Sequence, residues 1–143
     1  MTLKHWFEFT DDWRHAPLAY WVHVPQDGKD WLDDAAILLP PAPVKVSGRG
    51  YPQLFVAVKD VELLFSSPAQ LRAFVDTLRM TPLPSTRRLS ALRGTTRGPN
   101  SHWLSRLPGW MKAPAFRNKT LPRIADLADA LADDPRWRGQ AMG

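Results

Sequence analysis

Residues 67–70 read Ser67-Pro68-Ala69-Gln70: a serine that can cap a helix, a proline at the first helical position and a glutamine at the third. Behind them Leu71, Phe74, Val75 and Leu78 recur at i, i+3, i+4 and i+7, one apolar stripe about 100° wide. Box and stripe together predict a helix from Pro68 to about Met80, stopped by Pro82 and Pro84. A helix with a single apolar stripe has to lay it on another element, so the segment before it decides the fold.

That segment alternates short β-type runs with turn signals. Strands are predicted near 5–10, 19–24, 35–39, 44–46 and 53–65, separated by Asp27-Gly28, Pro40-Pro41 and Gly48-Arg49-Gly50. Lys59-Asp60 interrupts the last run and predicts a hairpin turn there. Beyond the central helix, Ser85 is placed to cap a short helix through Leu92 that ends at Gly94, and Asn100 another through Leu107. Residues 108–119 read as an irregular basic connection. Thr120 is expected to cap a last helix with the stripe Leu121, Ile124, Ala128 and Leu131.

The fold expected is α+β, an antiparallel sheet from the N-terminal half covered by C-terminal helices. A chain of 143 residues suits one domain, with a β-rich part over 1–65, a helical basic part over 66–134 and a tail over 135–143. No internal repeat or low-complexity tract is visible.

Cysteine is absent, which removes disulfides, thiolate metal sites and cysteine nucleophiles and fits a reducing compartment. The first residues lack the basic and apolar regions of a secretory signal, and no apolar run nears the length of a membrane span. The expectation is a soluble cytoplasmic protein without membrane contact.

Charge is distributed unevenly. No acidic residue occurs between residues 77 and 125, where ten cations lie; residues 1–76 carry net −3 and residues 126–143 net −2. Such a span suits nucleic acid or an acidic protein partner, and a solvated face balancing the acidic N-terminal part is the plain alternative. Trp103, Trp110 and Phe116 interleave with these cations, as rings that stack on unpaired bases do. The candidate binding residues are Arg87, Arg88, Arg93, Arg97, His102, Arg106, Lys112, Arg117 and Lys119.

Catalytic signals are weak. His5, His15 and His23 lack ligand spacing and read as satisfied or exposed surface histidines. Ser101, His102 and Ser105 have no nearby carboxylate to orient the imidazole. Asp11-Asp12 and Asp33-Asp34 read as solvated turn pairs, and Gly48-Arg49-Gly50 has neither the lysine nor the helix of a phosphate loop. Trp6, Trp13, Trp21 and Trp31 crowd the predicted sheet, where rings more often fill a core than bind ligands. No cofactor, metal site or catalytic residue is assigned.

Three segments, Ser66-Ser-Pro-Ala-Gln-Leu-Arg-Ala-Phe-Val-Asp-Thr-Leu78, Leu83-Pro-Ser-Thr-Arg-Arg-Leu-Ser90 and Gly98-Pro-Asn-Ser-His-Trp-Leu-Ser-Arg-Leu-Pro108, resemble a group of short uncharacterised proteobacterial proteins of mobile or accessory genome regions. The resemblance covers about residues 50–124 and implies no activity, fold or ligand. It directs attention to Asn100, His102, Trp103, Ser105 and Arg106. There Trp103, Leu104 and Leu107 are expected to dock a short helix, while His102 and Arg106, four apart, face outward together.

The sequence therefore points first to a non-catalytic protein that contacts nucleic acid through its basic segment. The alternative is a protein-interaction module, inhibitor-like or antitoxin-like, that docks an acidic protein.

Overall fold

The computed structural model describes residues 3–93 and 102–137. Its architecture is α+β. Strands β1 (Lys4–Thr10), β4 (Tyr51–Val58) and β5 (Val61–Phe65) form an antiparallel sheet in the order β1-β4-β5. The register pairs Phe7 with Leu54, Leu54 with Phe65 and Val56 with Leu63, which puts alternate apolar residues on one face. Helices α2 (Pro68–Arg79) and α5 (Leu121–Leu131) cover that face and touch each other. The predicted stripes are the ones buried: Leu71, Phe74, Val75 and Leu78 on α2, and Leu121, Ile124, Ala128 and Leu131 on α5.

The sheet depends on two turns. The hairpin predicted at Lys59-Asp60 is present, with Val58 paired to Val61 and Lys59 in the left-handed region at φ 56°. Gly50 precedes β4 at φ 105°, and a Cβ there would lie 2.7 Å from the Thr10 carbonyl oxygen, so only glycine lets the chain pass β1 so closely.

Other expectations change. Residues 19–24 contain a single helical turn, α1 (Ala19–Val22), ahead of β2 (Val24–Pro25), which pairs with β3 (Leu38–Leu39) in a separate two-stranded ribbon. The expected strand at 35–39 shrinks to β3, and at 44–46 only the Val46–Gly50 bridge remains. Pro40, Pro41 and Pro43 lack the N–H that a longer ladder needs. Trp13, Ala16, Ala19, Trp31 and Leu38 fill a second, smaller core. Trp13 and Trp31 meet edge-on there at 5.8 Å, so these two rings are core as expected, although neither lies on a strand.

A buried polar hub joins this lobe to α2. The Ser67 hydroxyl caps α2 by accepting from the Gln70 N–H at 3.2 Å and lies 2.9 Å from His23 Nε2. The other ring nitrogen, Nδ1, is 2.9 Å from the Pro40 carbonyl, an atom that only accepts, so Nδ1 carries the proton and Ser67 donates to Nε2. Gln70 reaches back to Ser66, whose hydroxyl donates to the Trp13 carbonyl at 2.9 Å. His23 is thus 0% exposed and a core residue rather than a surface one, and burial lowers its pKa from the ordinary value.

In the second half, Ser85 caps α3 (Thr86–Arg93) by accepting from the Arg88 N–H at 3.1 Å. Asn100 lies outside the described residues. The turn expected after it is a 3₁₀ turn over Trp103–Arg106, capped instead by His102. The stretch read as irregular contains α4 (Gly109–Lys112) and a π-helical turn, Phe116–Thr120, that runs directly into α5. Thr120 is already helical and makes no side-chain cap, because the chain enters α5 without leaving helical geometry. Part of the expected tail is core: Trp137 is buried and meets Phe7 edge-on at 5.3 Å.

Candidate functional site

The cations of the acid-free span divide by what they touch. Arg93 is half-buried, donating from Nε to the Tyr20 carbonyl at 2.7 Å with its guanidinium 4.0 Å from the Tyr20 ring centroid. Arg117 donates to the Leu78 carbonyl at 2.8 Å and to the Met80 carbonyl, satisfying acceptors at the C-terminal end of α2, where a cation is also favoured by the helix dipole. Both are ties within the fold. Arg87, Arg88, Arg106 and Lys119 are exposed and Lys112 is half-buried, while Arg97 lies outside the described residues.

His102 does not face outward with Arg106. Its Nδ1 accepts from the Leu104 N–H at 3.0 Å and its ring lies 4.5 Å from that of Trp21. It is buried at 4% exposure, and desolvation lowers its pKa to about 4. Trp103 and Leu104 dock the turn, as expected.

Of the three interleaved rings, Trp103 and Phe116 are buried in the main core, leaving Trp110 half-buried at the surface. Trp110 stands in a cleft of about 390 Å³ lined by Lys59, Ala113, Phe116, Lys119, Thr120 and Arg123. Phe116 packs against it roughly perpendicular, at 5.7 Å and 75°, and the Lys59 ammonium sits 4.5 Å from its ring centroid. Among the described residues no carboxylate lines this cleft. Lys119 and Arg123, four apart across the join of the π turn and α5, are both exposed. The arrangement offers three cations and an aromatic platform, which suits an anionic ligand carrying a flat ring.

Comparison with known protein families, with curated proteins and with solved structures finds no match to this chain. Any reading of the site therefore stands on its chemistry.

Of the eight candidate residues that are described, Lys119 alone lines the cleft. Lys59 and Arg123 were missed. Lys59 belongs to the acidic half, and only the fold brings its hairpin over Trp110; the i, i+4 spacing of Lys119 and Arg123 was readable, but the helix carrying them was expected to begin after Lys119.

The other candidates for chemistry are occupied structurally. Ser67 and His23 have the spacing of a nucleophile and a base, but both are buried and committed to the α2 cap and to Pro40. Asp12 accepts from the Arg14 N–H at 2.9 Å, Asp33 from the Ala35 N–H at 2.9 Å, and Asp34 pairs with Arg14 at 3.1 Å. Among the described residues no group of three or more His, Asp or Glu side chains is placed to hold a metal, and no helix is long and apolar enough to cross a membrane.

Proposed function

We propose that the protein is a non-catalytic binding protein that holds nucleic acid through the cationic cleft at Trp110, assisted by exposed cations of the acid-free span. The observation that carries this reading is the gathering of Lys59, Lys119 and Arg123 around one aromatic ring, with no carboxylate among the described lining residues. Cations so placed attract phosphates at long range and release counterions on contact.

Titration of labelled single- and double-stranded oligonucleotides at low salt tests it, with polyglutamate as a polyanion that lacks bases and phosphates. Nucleic acid is expected to bind more tightly than polyglutamate, and reversal of Lys119 and Arg123 to Glu to weaken binding by at least about tenfold. Reversal of Arg87 and Arg88, exposed on α3, reports whether that helix takes part. Polyglutamate binding as tightly as nucleic acid would transfer the basic surface to an acidic protein partner.

A further inference from the structure

The cleft's shape and its ring specify more than a phosphate surface does. Duplex nucleic acid presents phosphates on a stiff rod and keeps its base faces inside the stack, so it can meet cations but cannot lay a base on a tryptophan. Single strands expose those faces, and binding sites for them combine a cationic track with aromatic platforms.

Three observations place such a platform here. The cleft, about 390 Å³, falls within the range of sites that enclose a small ligand, roughly 300–1,000 Å³. Trp110 is preset, because Phe116 is itself buried in the core and packs roughly perpendicular to the indole at 5.7 Å, while the Lys59 ammonium marks the ring face that opens to the cleft. Two backbone irregularities also converge on the cleft: Lys59 has a positive φ of 56°, and Phe116–Thr120 forms a π-helical turn closed by the Leu121 N–H on the Phe116 carbonyl. Such features concentrate at functional sites, and here they set Lys59 over the ring and carry Lys119 and Thr120 into the lining.

We propose that the cleft seats one unpaired base of single-stranded nucleic acid on Trp110, with the flanking phosphates held by Lys59, Lys119 and Arg123. This rests on the nucleic-acid reading above and narrows it to single strands. In the free protein the Lys59 ammonium, 4.5 Å from the ring centroid, occupies the position that the base takes. Stacking by a base is the stronger contact, and the displaced ammonium, on an exposed flexible side chain, turns to the phosphate. One exchange thereby replaces a cation–π contact with a stack and a phosphate contact.

The test is fluorescence anisotropy with a labelled oligothymidine and with a duplex of equal length at matched salt. The single strand is expected to bind at least about tenfold more tightly. Trp110→Leu keeps an apolar side chain against Phe116 but has no π-face, and should lower single-strand affinity about tenfold while leaving the salt slope unchanged, since the slope counts phosphates. Trp110→Phe should recover most of the loss, and melting temperatures of both variants check that the fold persists. Equal or better duplex binding overturns the inference, as does unchanged affinity in Trp110→Leu, and in either case phosphate binding as such stands. Absence of binding to any oligonucleotide removes the nucleic-acid reading itself.

Discussion

Replacing Ser67 by alanine removes an oxygen that serves two buried partners at once. The first is the Gln70 N–H at the start of α2, 3.2 Å away; losing a serine cap costs about 1 kcal/mol. The second is His23 Nε2 at 2.9 Å, which would be left buried without a donor, at a cost of about 1–3 kcal/mol. The expected loss is therefore about 2–4 kcal/mol. For a chain of 143 residues, in which 1 kcal/mol moves the melting temperature by roughly 3 °C, Tm should fall by about 6–12 °C. The assay is urea and thermal unfolding followed by far-UV circular dichroism, repeated in a His23→Leu background. There the same substitution removes only the cap and should cost about 1 kcal/mol, so the two sites couple by about 1–3 kcal/mol. A Tm within about 2 °C of the parent protein, or equal costs in the two backgrounds, would refute the hub as a joint between the small lobe and α2.

Two further predictions concern stability. Phe74→Ala removes a fully buried ring that meets Phe65 edge-on at 5.4 Å and Trp103 at 5.5 Å, and should cost about 3–5 kcal/mol in urea unfolding; a change below about 1 kcal/mol would show that α2 is not a core element. His23 and His102 both have pKa values lowered by burial, so the stabilisation from each is complete above the unfolded value of about 6.5 and is lost as pH falls through the folded value, which for His102 is about 4. His102 removes up to about 1.4 kcal/mol per pH unit within that window and His23 acts in the same direction, so a denaturation midpoint that stays flat between pH 7 and 5 would contradict their burial as neutral rings.

The parts of the fold legible in the sequence are those with local signals. The cap and stripe of α2, the stripe of α5, the Lys59-Asp60 hairpin and the Ser85 cap each depend on residues a few positions apart, and each is present. Residues 19–22 went the other way because four apolar residues cannot distinguish a buried strand from a helical turn. α4 and the π turn were invisible because neither is long enough to display a period. His102 looked outward on an assumed α-helix, yet it precedes a 3₁₀ turn and caps it, which buries the ring. The site was half legible. A cationic stretch with rings in it pointed to Trp110 and Lys119, but tertiary packing took Trp103, Phe116, Arg93 and Arg117 for the fold and brought in Lys59 from the opposite half of the chain.

The most direct measurement is the salt dependence of oligonucleotide affinity for the intact protein. With Lys59, Lys119 and Arg123 each engaging a phosphate, log K should fall against log salt with a slope of about −2 or steeper. Changing Lys119 and Arg123 to Ala should flatten that slope by more than about one unit, because two of the contacts are removed. Undetectable binding at low salt, or an affinity indifferent to salt and to these two residues, would contradict the assignment of the cleft.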